Sequence, residues 1–154
     1  MMLKKTGLLK WVGVGFLTLN ALSGQAETAA GSQNDELSVT EAYVRAPIPG
    51  RSMSAAFMTL SNTTEKERVL VSASAEWTKS IEIHTHKHEN GVMRMRQIMS
   101  LPIPAGEEVH LQPGGLHLML FGLAPNLPVQ PALSLCFQNG DCQVVTAELR
   151  DMRK

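Results

Sequence analysis

Residues 80 to 99 read SIEIHTHKHENGVMRMRQIM, and this segment predicts two strands joined by a tight turn. Asn90-Gly91 is the strongest short-range signal for a two-residue hairpin turn. Side chains alternate along a strand, so such a turn would place three cross-strand pairs on one face of the hairpin. These pairs are His86 with Met95, His88 with Met93, and His84 with Gln97.

The opposite face of this hairpin carries a conflict. Arg94 and Arg96 alternate there with Val92 and Ile98, although that face should turn toward the core. A β-bulge would resolve the conflict, and so would strand ends from which the arginines reach solvent. The sequence leaves both solutions open.

The chain on either side of the hairpin consists of short apolar or alternating runs between turn residues. The predicted strands are Leu37–Arg45, Ser54–Ser61, Arg68–Ala73, Ser80–His86, Val92–Met99, Glu107–Leu111, Leu116–Phe121, Ala132–Phe137 and Cys142–Leu149. Regular short strands of this kind indicate an antiparallel sandwich or barrel. The predicted fold class is therefore all-β, with one domain over residues 37–150.

A second informative run, residues 116 to 121, reads LHLMLF. Alternation places the three leucines on one face and both His117 and Met119 on the other. The leucine face has to pack in the core, so the His/Met face is expected outside. The same reasoning places His84 outside, because its isoleucine neighbours point inward. Both clusters are thus predicted on the barrel surface.

The first 26 residues have the three-part pattern of a secretory signal peptide. Three lysines precede an uncharged, largely apolar stretch over residues 11–22, and small residues follow at Gly24 and Ala26. The apolar stretch is shorter than the roughly 20 residues that cross a bilayer. We therefore expect cleavage after Ala26 and no stable membrane insertion of the mature chain, with residues 27–36 as a flexible leader.

The charge of the remaining chain excludes one class of partner. Beyond residue 26 there are 14 acidic and 11 basic residues, a formal net charge of −3. Lysine and arginine form no run or stripe, so nucleic acid is not an expected partner. Seven of the nine methionines lie in this part, which hints at thioether chemistry.

The candidate metal ligands are two histidines and two methionines: His84, Met95, His117 and Met119. Two imidazoles and two thioethers carry no negative charge. Soft thioether sulfur favours copper(I), whereas zinc prefers thiolate, imidazole or carboxylate, and calcium and magnesium prefer oxygen. The residue types therefore predict one copper(I) ion. No convincing Ser/His/Asp arrangement predicts a hydrolase.

His86 and His88 are left open as either additional ligands or ordinary surface histidines. Because copper(II) prefers nitrogen donors, we predict that they form a weaker, secondary copper(II) site on the hairpin. Whether Met93 adds a ligand is also open. The other methionines considered, Met53, Met58, Met99 and Met152, are expected to be packing or surface residues.

The two cysteines, Cys136 and Cys142, flank a second Asn-Gly turn signal at Asn139-Gly140. A two-residue turn there would pair Cys136 with Gln143 and put the sulfurs on opposite faces. A three-residue loop would bring the cysteines directly opposite. An exported protein folds where disulfides form, which favours a disulfide, while the simplest turn argues against it.

The four candidate ligands form the pattern His-x10-Met-x21-His-x-Met, which resembles the signature of the periplasmic copper chaperones of the PCuAC type. Flanking segments are also similar to that family. They are AAFMTLSN from residue 55, EIH from residue 82, GVMRMR from residue 91 and PGGLHLM from residue 113. The resemblance covers about residues 37 to 149.

The resemblance implies a cupredoxin-like Greek-key barrel that carries copper(I) in the periplasm. It also implies a copper-accepting partner, either the copper centre of cytochrome c oxidase or another copper chaperone. Some members bind copper(II) through a His- and Met-rich C-terminal tail, whereas this sequence ends in DMRK. The cysteine pair is likewise no part of the signature.

Two functions other than a chaperone without turnover would use the cysteines. An electron-transfer cupredoxin needs a cysteine thiolate with two histidines, and no histidine follows either cysteine here. A thiol–disulfide protein acting on copper-site cysteines would call for a reactive thiol, usually in a Cys-x-x-Cys setting. The spacing Cys-x5-Cys gives that role little support.

Overall fold

The computed structural model describes residues 37–152, so the predicted signal peptide and the leader over residues 27–36 lie outside the described residues. The strands within this range are β1 (Leu37–Arg45), β2 (Met53–Asn62), β3 (Arg68–Ser74), β4 (Ser80–Glu89), β5 (Val92–Gln97), β6 (Leu101–Ile103), β7 (Glu108–Leu111), β8 (His117–Phe121), β9 (Ala132–Phe137), β10 (Cys142–Thr146) and β11 (Glu148–Arg150). Among the residues described, no helix is both long and apolar enough to span a membrane.

The strands form two sheets. The seven-stranded sheet has the order β11-β1-β2-β8-β4-β5, with β7 paired to the second half of β2. The four-stranded sheet has the order β10-β9-β3-β6. Strand pairs are antiparallel except β1 with β11, which run parallel. The predicted all-β fold class is confirmed.

The core lies between the two sheets and is mostly aliphatic. Leu118 and Leu120 of β8 are fully buried, as the alternation in residues 116–121 predicts. They meet leucines from the other sheet, including Leu70, Leu133 and Leu135. Because Leu118 and Leu120 point into the core, their neighbours His117 and Met119 must point out of the opposite face of the sheet.

The structure differs from the predicted strands in two places: one strand was missed, and one predicted strand is divided in two. Leu101–Ile103 is a strand that the pattern did not indicate, because Pro102 interrupts it; a proline is tolerated here since β6 is an edge strand. The predicted strand Cys142–Leu149 is in fact two strands. At the buried Ala147 the chain changes sheets, with its N–H donating to the Pro131 carbonyl at 2.9 Å.

The β4–β5 hairpin has the predicted register, with His86 opposite Met95 and His88 opposite Met93. Asn90 and Gly91 have φ angles of 53° and 77°, as a tight turn of this type requires. The pairing is continuous, so no bulge explains the arginines. All of β5 is exposed on both faces, and Arg96 donates to the Glu89 carboxylate at 2.7 Å. The hairpin therefore extends beyond the cover of the second sheet.

Cys136 and Cys142 form a disulfide between β9 and β10. The two residues are directly opposite in the ladder. The Phe137 N–H bonds to the Asp141 carbonyl, which leaves residues 138–140 as a three-residue loop with Gly140 at φ 92°. Of the two turns left open by the sequence, the structure has the longer one.

Candidate metal centre

A pocket of about 340 Å³ opens on the outer face of the seven-stranded sheet. Three of the four predicted ligands line it: Met95 from β5, and His117 and Met119 from β8. His86 from β4 also lines it, next to Met95 across the hairpin. The rest of the wall comes from β2, the chain after β1 and the loop before β8, with Phe57, Ile48 and Pro113 among its members.

His117 lies at the base of this pocket and is only 3% exposed. It is on the outer face of the sheet, as predicted, but the expectation that it lies on the surface is wrong. Phe57 packs at 6.4 Å between ring centroids, and the imidazoles of His84 and His86 lie on its other sides. These neighbours come from distant segments, and the local alternation gives no sign of them.

The environment of His117 keeps its imidazole neutral. Burial lowers its pKa below the ordinary value, and the nearby His86 and His84 lower it further, while a hydrogen bond to Gly115 opposes this shift. In that hydrogen bond the Nδ1–H donates to the Gly115 carbonyl at 2.9 Å. The Nε2 lone pair is then the one left for a metal ion, because a neutral imidazole carries only one proton.

His84 is directly opposite His117 in the β4–β8 ladder, with 5.8 Å between ring centroids. It does not line the pocket, because its Nε2–H donates to Glu82 Oε2 at 2.8 Å. Its Nδ1 is buried and has no hydrogen-bond partner. A buried nitrogen lone pair without a partner is costly unless something binds it. The donor atom of His84 that fits a metal is therefore Nδ1.

The other residues left open by the sequence are separated by the structure. His86 lies in the pocket, and its Nδ1–H donates to the same Gly115 carbonyl at 3.1 Å. His88 and Met93 are exposed nearer the hairpin tip and do not line the pocket. His86 and His88 therefore face different surroundings, although both lie on one face of one strand.

Methionine sulfur surrounds the open side of the pocket. Met95 is 56% exposed at the rim, whereas Met119 is partly buried on β8 beside Ala55. Met53, expected only to pack or to lie on the surface, also lines the pocket. No local sequence pattern marks Met53, because its position follows from the pairing of β2 with β8, which places it two residues from the neighbour of Met119.

The donors suit a soft, monovalent ion. In the described part of the chain, no three His, Cys, Asp or Glu side chains converge closely enough to hold a metal by themselves. The side-chain donors that line the pocket include the thioether sulfurs of Met95 and Met119 beside the imidazoles of His86 and His117. Thioether and neutral imidazole are the donor types that copper(I) accepts readily and that calcium and magnesium do not.

A family profile described as "LpqE-like: Putative lipoprotein LpqE-like" matches residues 37–149. The chain belongs to the LpqE-like family. A curated protein called "Putative lipoprotein Lxx21020", from Leifsonia xyli subsp. xyli, is 33% identical over 97% of this chain and 94% of its own length. The family match begins and ends where the PCuAC resemblance does.

Two solved structures, one of them a PCuAC domain, have a similar fold. The copper-bound PCuAC domain from PmoF2 has a TM-score of 0.63 at 18% identity, over 75% of this chain and 93% of that domain. The copper(I) form of DR1885 from Deinococcus radiodurans also has a TM-score of 0.63, at 29% identity, over 84% of this chain and 87% of that protein. The fold of this LpqE-like protein is thus the cupredoxin-like β-sandwich of PCuAC domains.

Proposed function

We infer that this LpqE-like protein is a copper(I) metallochaperone, which binds one ion beside His117 through His84, Met95, His117 and Met119. The observation that carries the inference is the gathering of Met95 and Met119 around the buried, neutral imidazole of His117. The two methionines are 24 positions apart in the sequence and lie on different strands, so no feature of local packing requires them to share a pocket. The copper bound in the PmoF2 domain and in the copper(I) form of DR1885 supports the same metal.

The open pocket supports delivery of the ion to another protein. Met95 lies at the rim with 56% of its surface exposed, so a thiolate or thioether of an acceptor could reach an ion held there. We propose an acceptor outside the cytoplasmic membrane, either the copper centre of cytochrome c oxidase or another copper chaperone. The signal-peptide pattern in residues 1–26 supports export to the periplasm.

The disulfide separates this function from its two rivals. Both cysteines of the sequence are joined to each other on β9 and β10, in the four-stranded sheet. The pocket lies on the outer face of the other sheet. A blue-copper site needs a thiolate ligand, and a thiol–disulfide enzyme needs an accessible reactive thiol, usually in a Cys-x-x-Cys setting. Neither arrangement is found around the pocket.

Metal selectivity tests the proposal. Because the donors are neutral and half are thioethers, the mature protein should bind one equivalent of copper(I) at least about a hundredfold more tightly than zinc(II). Competition against a copper(I) chelator under reducing conditions, repeated with a zinc chelator, measures both affinities. Equal or tighter zinc binding would contradict the assignment.

A further inference from the structure

We propose that His86 is a fifth copper-binding residue, which alternates with His84 as the second imidazole beside His117. The inference rests on the copper(I) function proposed above and concerns which side chains perform it. His86 lies outside the four-residue pattern, and its neighbour His88, two residues further along the same face, does not share its surroundings.

The positions of the rings favour His86 in the present conformation. Its ring centroid lies 5.2 Å from that of His117, against 5.8 Å for His84. Two imidazoles that bind one metal at about 2.0 Å, in a tetrahedral arrangement, have centroids about 5 Å apart. His86 also lines the pocket, whereas His84 is turned to Glu82.

Hydrogen bonding prepares His86 as a ligand. The Gly115 carbonyl accepts from Nδ1–H of both His86 and His117, at 3.1 and 2.9 Å. Each imidazole is thereby held in the tautomer whose Nε2 lone pair is free for a metal. One backbone oxygen thus orients two ligands from different strands.

His84 offers a second arrangement. It is the direct neighbour of His117 in the ladder, and its buried Nδ1 has no partner. Residues two apart on a strand are about 6.5–7 Å from each other, so His84 and His86 approach His117 from two sides. Glu82 then acts as a positioning residue, since its hydrogen bond to Nε2 fixes the orientation of the His84 ring.

The alternation gives the ion a path to the rim. The His86 arrangement is adjacent to the exposed Met95, which faces His86 directly across the hairpin. An ion bound by His84 would lie closer to Met119. On β4, His84 is two residues from Glu82, the residue that pairs with Met119, whereas His86 is four residues from it. An ion that exchanges His84 for His86 therefore moves outward while His117 still holds it.

A double-mutant cycle tests this inference with copper(I) as the probe. His84→Ala and His86→Ala should each weaken copper(I) binding by less than about tenfold, because the other imidazole takes over. The double variant should be weaker than the product of the two single effects by at least about another tenfold. His88→Ala is the matched control and should bind as the wild type does. Amide NMR spectra establish that every variant is folded.

Imidazole nitrogen NMR distinguishes a ligand from a merely structural residue, because only direct binding of copper(I) by His86 should shift its Nε2 resonance strongly. Copper(I) is diamagnetic, and loading should shift the Nε2 resonance of His86, more completely in His84→Ala than in the wild type. If the double variant binds no worse than His84→Ala, and the His86 resonance does not move, His86 is not a ligand. If His86→Ala alone abolishes binding, the alternation is wrong. Either result leaves the copper(I) function standing, which would fail only if the wild type did not bind copper(I).

Discussion

The sulfur of Met119 and the sulfur of Met58 lie on opposite faces of the same sheet, and their surroundings differ accordingly. Met58 is 2% exposed and packs in the core between the sheets. Met119 is on the outer face, in the pocket with Met95 and His117. Leucine nearly conserves the volume of methionine but removes the sulfur, so the same substitution separates packing from ligation.

Met119→Leu and Met95→Leu should each weaken copper(I) binding by at least about tenfold, because losing even an indirect partner of a metal commonly costs that much. The free energy of unfolding of the apoprotein should change by less than about 1.5 kcal/mol. Chelator competition and denaturant unfolding measure the two quantities. Met58→Leu is the control, with an effect confined to stability. A loss of copper binding in Met58→Leu as large as in Met119→Leu would mean that the ligands are wrongly chosen.

At the scale of the element, the β4–β5 hairpin is held along one side only. β5 pairs with β4 and has no other strand neighbour among the described residues, and every one of its residues is exposed. Its register therefore depends on the turn and on cross-strand contacts, including the Arg96–Glu89 ion pair. Exposed ion pairs contribute little, so the Asn90-Gly91 turn is the main local constraint on where Met95 lies.

Gly91→Val should therefore weaken copper(I) binding through the backbone. At φ 77° a β-branched residue is strained by about 1–3 kcal/mol, although an added Cβ would meet no atom within 4 Å. The expected result is faster amide hydrogen exchange over residues 92–97 and a several-fold loss of copper(I) affinity.

Gly140→Val is the matched control for the hairpin. Gly140 has φ 92° in the β9–β10 loop and equally open space for a Cβ, but it belongs to the other sheet. It should lower stability and leave copper(I) affinity unchanged. Equal effects of both variants on copper binding would show that the hairpin turn does not position Met95.

The sequence predicted this element well because its information is local. Strand alternation and the Asn-Gly turn depend on neighbouring residues alone, so His86 with Met95 and His88 with Met93 could be paired before the structure was known. Local patterns could not predict that Arg94 and Arg96 are exposed on the face expected to turn toward the core. Their exposure depends on where the second sheet ends, which is a property of the assembled sandwich.

At the scale of the whole molecule, the two sheets have separate tasks. The outer face of the seven-stranded sheet carries the pocket, and the four-stranded sheet carries the disulfide of Cys136 and Cys142. Replacing both cysteines by serine should lower the free energy of unfolding by about 2 kcal/mol, because the closed loop is short and constrains the unfolded chain only modestly.

Copper(I) binding by the same double cysteine variant should equal that of the wild type, since the disulfide lies on the sheet away from the pocket. Denaturant unfolding and chelator competition give the two values. A folded variant that no longer binds copper(I) would overturn this separation. It would also revive a redox role for the cysteine pair.

The sequence by itself determined the strands with clear alternation, the β4–β5 register and the His-x10-Met-x21-His-x-Met pattern, because each depends on periods and spacings along the chain. Tertiary structure alone decided that His117 is buried, that His86 and Met53 line the pocket, and that His84 turns to Glu82. It also decided that the chain changes sheets at Ala147. The physical reason is common to these cases: burial and side-chain direction depend on segments that are far apart in sequence. Phe57 and Gly115 reach His117 only when β2 and the loop before β8 are in place.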